Sequence, residues 1–249
     1  MRRKQEENGK GEERNMRILI LNGSPKGEKS DTLHITRAFV DGIQRVKDAE
    51  VTVIHVNERH IEYCTGCFVC KKNGGVCVLK DDMQEILDEM LFSDLVIFSF
   101  PLYSYGMPAA LKNVVDRMMP LSSWNMVRDE SGKYGHRMQY DVSAVHSMMI
   151  CGCGFPNAKH NFEGAVCQFE LKFPDRDAII TVPESPMFNI PEAAPFVAPR
   201  LEELKAAGAE YAVTGALSEE TMRTICSPMI PEEIYAQFAN GERKQAKER

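Results

Sequence analysis

No apolar run among the 249 residues approaches the ~18 that a helix needs to cross a membrane, so no membrane partner is expected. Positive charge is not in excess either. The 30 Lys and Arg against 36 Asp and Glu leave a net charge of −6, which argues against nucleic acid as a partner. Met1 to Asn15 is polar, mixed in charge and without the apolar stretch of a secretory signal, so a cytoplasmic protein is expected. In that reducing setting the 8 cysteines do not read as a disulfide framework. They read as ligands, catalytic thiols or small core residues. Internal repeats are missing as well. What remains is an ordinary globular composition, 43% apolar, long enough for one large domain or two small ones with a real core.

The stretch Asn22-Gly-Ser-Pro-Lys-Gly-Glu-Lys-Ser-Asp-Thr-Leu33 organises the rest of the chain. It follows the apolar run Ile18-Leu-Ile-Leu21 and precedes a helical pattern. A strand, a hydroxyl-rich loop and a helix start build an anion site, because backbone N–H groups and the positive end of a helix dipole point at one spot. Ser24, Ser30 and Thr32 can add hydroxyl donors there. The P-loop pattern fails: Glu28 stands where its second glycine belongs, and a carboxylate beside a triphosphate is electrostatically wrong. Asp94 opens its strand instead of closing it, so no residue reads as a Mg²⁺ holder. The glycine fingerprint of dinucleotide folds is also missing. Such a loop suits a single phosphate monoester. It is equally compatible with an ordinary strand-to-helix turn capped by Ser30 or Asp31.

Residues 1–15 and 241–249 read as disordered tails. Short apolar runs predict strands over 16–21, 51–56, 95–100, 145–150 and 178–182. Helices are expected between them. The first buries Leu33, Phe39, Ile43 and Val46 and ends near Asp48. The next opens on a capping box of Asp82 and Glu85 and continues through Met83, Ile86, Leu87, Met90 and Leu91. Another follows Pro108 with Leu111, Val114, Val115, Met118 and Met119 on one stripe. A fourth covers 160–172. Residues 58–80 read as an irregular cysteine-rich loop, and 120–142 carry no clean period. A proline-rich tail leads to a helix over 197–207, stopped by Gly208, and to a last helix from Pro231 to Asn240-Gly241.

Alternating strands and helices imply right-handed crossovers and a doubly wound α/β domain over 16–182. The expected architecture is a flavodoxin-like five-stranded parallel sheet in the order 2-1-3-4-5, with helices on both faces and 183–240 as a C-terminal helical extension of the same domain. Ligands of such sheets sit at the carboxyl ends of the strands. Three loops follow strands, 22–31, 101–107 and 151–156, and should meet at one edge.

Pro101-Leu-Tyr-Ser-Tyr-Gly-Met-Pro108 sets two aromatics and a glycine at a strand end. That suits the wall of a flat heteroaromatic ring, or a turn whose tyrosines pack on the protein. Taken in order, Gly23-Ser-Pro-Lys26, Ser30-Asp-Thr-Leu33, a cysteine loop closing on Cys77-Val-Leu-Lys-Asp-Asp-Met83, and Pro101 to Ala109 with Leu111-Lys112 and Asp116-Arg117 resemble the NAD(P)H-dependent FMN reductase family. The iron–sulfur flavoprotein branch is the nearest match, and the resemblance covers roughly residues 16–182. It implies that Ser24, Lys26, Ser30, Asp31 and Thr32, with Leu33 beside them, hold the phosphate of FMN. It implies that Pro101, Leu102, Tyr103, Ser104, Tyr105 and Gly106 line the isoalloxazine, with Tyr103 beside the ring. Cys151 and Gly152, in the turn Cys151-Gly-Cys-Gly154, would approach the pyrimidine side. Asp31 stands where the family often has Asn, which a phosphate tolerates only if the acid faces away and caps the helix.

Cys64, Cys67, Cys70 and Cys77 form C-x₂-C-x₂-C-x₆-C. Three thiolates three residues apart can converge on one cluster, and the fourth arrives from beyond a Gly74-Gly75 hinge. This resembles the [4Fe–4S] ligand set of the iron–sulfur flavoproteins. Zn²⁺ held by four thiolates and four reduced thiols that bind nothing are the alternatives. Cys167 and Cys226 read as packing residues, and the histidines show no ligand spacing. Trp124 and Tyr134 fall in the unpatterned 120–142 segment, as a lid over the flavin or as an ordinary loop. The resemblance implies an FMN-dependent oxidoreductase passing reducing equivalents from NAD(P)H to a small-molecule or redox-protein acceptor. No catalytic residue is assigned, because the flavin carries the chemistry. An electron carrier without nicotinamide turnover is the alternative. A homodimer or higher homo-oligomer is expected.

Overall fold

The computed structural model describes residues 15–130 and 132–247, with side chains as far as 241. Of the tail expected over 1–15, residues 1–14 lie outside them. In chain order the strands are β1 (Met16–Asn22), β2 (Ala49–His55), β3 (Leu95–Pro101), β4 (Ser122–Arg128), β5 (Tyr134–Met138), β6 (His146–Gly152) and β7 (Ala178–Val182). Five of them form one all-parallel sheet in the order β2-β1-β3-β6-β7. This is the expected 2-1-3-4-5 arrangement. The central strands are continuous apolar runs because both faces of the sheet are covered. Ile18 and Ile20 enter one core, and Leu19 and Leu21 enter the other.

The helices are α1 (Asp31–Gln44), α2 (Val69–Lys72), α3 (Met83–Phe92), α4 (Ala109–Asp116), α5 (Glu163–Lys172), α6 (Ala194–Thr214), α7 (Glu219–Ile225) and α8 (Glu232–Lys247). The first core joins α1 to α6, with Leu33, Phe39 and Ile43 meeting Leu204, Ala207 and Tyr211. Tyr235 of α8 enters the same core. The second joins α3, α4 and α5 through Ile86, Leu111, Val114 and Phe169. Val46 lies beyond the end of α1 and is exposed, not buried as expected.

Four expectations need correction. Gly208 does not stop a helix. It lies inside α6, where an added Cβ would stand 1.8 Å from the Phe39 carbonyl oxygen, so the glycine serves close packing on α1. Gly215, with φ of 73°, ends α6 instead. The capping box before α3 does not form. Asp82 accepts the His60 N–H, Glu85 pairs with Arg59, and Asp81 accepts the Met83 N–H. The 120–142 segment is not a loop: β4 and β5 pair as an antiparallel ribbon with mostly exposed side chains. Finally, α8 continues to Lys247 through the stretch read as a tail, of which 248–249 lie outside the described residues.

Candidate functional site

The 22–33 loop turns from β1 into α1 at the carboxyl edge of the sheet. Ser30 caps α1, its hydroxyl accepting the Leu33 N–H at 3.2 Å. Leu33 itself lies in the core, so only its backbone borders the loop. Asn22 braces the turn: its side-chain oxygen accepts the Ser24 N–H and its amide donates to the Gly27 carbonyl. Ser24, Ser30 and Thr32 are all buried. Asp31 is not the cap. It pairs with Lys26 at 2.6 Å and accepts from the Asn189 amide, so its charge is offset. Thr32 Oγ1 is different. It is buried in the first turn of α1 and has no hydrogen-bond partner. A buried hydroxyl left in that state costs about 1–3 kcal/mol unless something completes it.

The other loops come to the same place. Gly23 N–H donates to the Ser99 carbonyl on β3 at 2.8 Å. Leu102 N–H, just past β3, donates to the Gly152 carbonyl at 2.7 Å. An added Cβ on Gly152 would stand 2.9 Å from Thr32 Oγ1 and 2.7 Å from Ser185 Cβ. The 22–33 loop therefore meets the β6 turn at Gly152, and the 101–107 loop is bonded to the same residue. Tyr103 and Gly106 bridge a tight turn whose two central residues, Ser104 and Tyr105, have φ of 47° and 63°. Left-handed backbone at non-glycine residues is strained and is tolerated where the surroundings fix it. Tyr103 and Tyr105 are half-exposed, and Tyr105 stacks on Phe155. Cys151 and Cys153 point into the core, and burial pushes the Cys153 thiol up to about 11. Only the backbone of 151–152 is available to a ligand.

The segment after β7 also reaches the site and was not foreseen. Ser185 N–H donates to the Cys153 carbonyl, and Asn189 donates to the Lys29 carbonyl at 2.9 Å. Glu184 is fully buried with φ of 58°, and its Oε1 has no partner. Burial pushes its carboxyl above the usual range, against the pull of the Met229 and Ile230 N–H groups and Arg200. The rule that places ligands at strand carboxyl ends applies to β7 as well, and it could have found these residues.

The four cysteines line one hollow with Phe68, Arg117 and Pro120. Cys70 is buried, Cys77 half-buried, Cys64 and Cys67 exposed. The Val69 N–H and the Thr65 hydroxyl pull the Cys67 thiol down, while burial and nearby Cys77 push Cys70 up. Among the described residues no three metal-ligating side chains gather closely enough to hold a single ion. That arrangement by itself shows neither a zinc site nor an iron–sulfur cluster. Trp124 packs on Phe68 beside this hollow, and Lys71 ties α2 to the base of β4.

A family model described as a flavodoxin-like fold matches residues 16–150, more than half of the chain. The chain belongs to this flavodoxin-like family. An iron–sulfur flavoprotein of Methanocaldococcus jannaschii is 28% identical over 162 residues, 60% of this chain and 82% of that one. An FMN-dependent NADH:quinone oxidoreductase of Trichormus variabilis is 27% identical over 116 residues, 42% of this chain and only 54% of that one. An FMN-dependent NADH-azoreductase from Bacillus anthracis, solved with FMN, superposes with a TM-score of 0.58 over 79% of this chain and 99% of that one. At 15% identity the last shows the fold alone. In this flavodoxin-like protein the family match ends at residue 150, so Gly152, Ser185 and Asn189 stand outside it. Among the described residues no helix is long and apolar enough to cross a membrane.

Proposed function

We propose that this chain is an FMN-dependent oxidoreductase that takes reducing equivalents from NAD(P)H and passes them to a quinone-type, other small-molecule or redox-protein acceptor. The observation that carries the reading is the unpartnered Thr32 hydroxyl facing Gly152, where a cradle has a donor to spare and no room for a side chain. The residues present fit FMN. Ser24, Lys26, Ser30 and Thr32 would hold its phosphate at the N-terminus of α1. Asp31, neutralised by Lys26, would stand aside. The Pro101–Gly106 turn and the backbone at 151–152 would flank the ring, with Tyr103 as a wall. The four-cysteine hollow suits a [4Fe–4S] cluster, whose cuboidal shape spreads its thiolates wider than one ion does. When bound, FMN accepts a hydride and releases electrons, and a cluster takes them singly. The chain binds, orients and screens these groups; none of its side chains is assigned a proton.

The relatives support this reading, one being named for NADH and quinone and another as an iron–sulfur flavoprotein. The latter name equally suits a second reading, an electron carrier without nicotinamide turnover. Anaerobic reconstitution with FMN, iron and sulfide, followed by steady-state NADH and NADPH oxidation with a quinone, separates the two. Flavin binding with turnover is expected. Bound flavin that neither nucleotide reduces would favour the carrier, and no flavin uptake would end both readings. A homo-oligomer is expected by light scattering.

A further inference from the structure

An ion pair lies inside the protein against the cysteine hollow. Arg117, at the end of α4, is 2% exposed, and the Asp81 side chain is 1% exposed. Arg117 Nη1 donates to Asp81 Oδ2 at 2.6 Å and to the Glu62 carbonyl; Nη2 donates to Asp81 Oδ1 at 3.1 Å. Asp81 also accepts the N–H groups of Glu62 and Met83, so both its oxygens are engaged by the chain around it. A buried pair of this kind rarely gains stability over apolar packing of the same volume, so its presence calls for a second reason. Nη2 supplies one. It also donates to Cys77 Sγ at 3.6 Å, in a hollow whose wall contains all four cysteines and Arg117 itself.

We infer that Arg117 is a positioning residue of the four-cysteine hollow, held by Asp81 so that it donates a charge-assisted hydrogen bond to the Cys77 sulfur when that sulfur is a cluster ligand. The inference rests on the iron–sulfur reading above. A cluster bound by four thiolates is an anion set against a poorly solvated wall. A buried guanidinium offsets that charge, and a hydrogen bond to a ligand sulfur draws electron density from it. Both make the cluster easier to reduce and slower to lose iron. Anchoring the loop does not by itself require this contact, because Asn113 one turn earlier already holds the Ile61 carbonyl at 2.8 Å. Lysine could meet Asp81 as a point charge but has no second planar nitrogen for the sulfur.

The test compares full-length wild type, Arg117→Lys, Asp81→Asn and Asn113→Ala after anaerobic reconstitution with FMN, iron and sulfide. Dithionite titration followed by electron paramagnetic resonance gives the reduction potential, and a chelator gives the rate of iron release. Arg117→Lys is expected to lower the potential and to speed iron release about ten- to hundredfold. Asp81→Asn leaves the guanidinium uncompensated and is expected to raise the potential. Asn113→Ala loosens the same loop without touching the sulfur and is expected to move only the unfolding temperature. Equal shifts in Arg117→Lys and Asn113→Ala would overturn the inference, as would an unchanged potential in Asp81→Asn, which carries the test should Arg117→Lys fail to fold. A wild type that takes up FMN but neither iron nor sulfide overturns the iron–sulfur reading itself, and the unsubstituted protein alone reveals it.

Discussion

Replacing Gly208 by alanine should destabilise this protein, although helix propensity says the opposite. In a helix interior alanine is favoured over glycine by about 1 kcal/mol. At Gly208, however, the new Cβ would lie 1.8 Å from the Phe39 carbonyl oxygen, and at Gly42, on the facing helix, 1.9 Å from the Lys205 carbonyl oxygen. These are backbone atoms and cannot rotate away. The helix α6 must retreat from α1 by about 1 Å or more, and a gap of that size forfeits a quarter to a half of the dispersion well for each contact across it. The contacts at stake are those of Phe39, Ile43, Leu204, Ala207 and Tyr211. Overpacking of this kind costs about 1–3 kcal/mol before those losses are added. The net expectation is a loss of about 2 kcal/mol or more, read as a lower midpoint at unchanged slope in urea unfolding followed by circular dichroism. Gly241→Ala, at a helical glycine with nothing within 4 Å, is the control and should gain a little or nothing. Combined, Gly42→Ala and Gly208→Ala should cost less than their sum, because one retreat relieves both clashes. A Gly208→Ala protein as stable as wild type would refute the close approach.

Three further outcomes test the carboxyl-end site. Thr32→Val removes a buried hydroxyl that has no partner, so the apoprotein should be unchanged or up to about 1 kcal/mol more stable, while FMN binding weakens about tenfold in a fluorescence-quenching titration. Gly152→Ala places a methyl 2.9 Å from Thr32 Oγ1 and should weaken FMN binding about ten- to hundredfold, an affinity equal to wild type counting against the cradle. Glu184 should make stability depend on pH. Its carboxyl is raised, so the folded state prefers the proton, and that contribution is full below the ordinary carboxylate range and lost as pH rises through the raised value. Glu184→Gln should flatten that loss and be about 1–3 kcal/mol more stable than wild type on the alkaline side in pH-dependent denaturation, with parallel curves for the two proteins arguing against a buried acid there.

The parallel sheet is legible in the sequence because its strands are bare apolar runs. Leu95 to Phe100 and Leu19 to Leu21 are buried on both faces, and their composition says so without any period. The β4–β5 ribbon leaves no such mark. Trp124, Met126 and Tyr134 are exposed along it, so burial imposes no alternation to be read. Gly208 misleads because glycine signals both a helix end and a close helix crossing, and only the position of Phe39 tells them apart. Asp82 misleads because its carboxylate finds the His60 N–H, 22 residues away, before it can cap its own helix. Such choices are tertiary, and local pattern carries no trace of them.

The candidate site was legible for a different reason: chain order and strand order together bring the loops to one edge. What could not be read is where the protein bears a cost. Among the described residues, two buried side-chain atoms lack a hydrogen bond, Thr32 Oγ1 and Glu184 Oε1. Both adjoin the 151–155 turn, the first across Gly152 and the second through the Glu184 N–H bond to the Phe155 carbonyl. Among the described residues, three of the five non-glycine residues with positive φ, Ser104, Tyr105 and Glu184, stand at strand ends on the same edge. Folded chains keep few unpaired buried groups and little left-handed backbone, because each costs stability. Their gathering at one rim is therefore an argument for function that owes nothing to the family match, and it reaches Glu184, which that match does not cover.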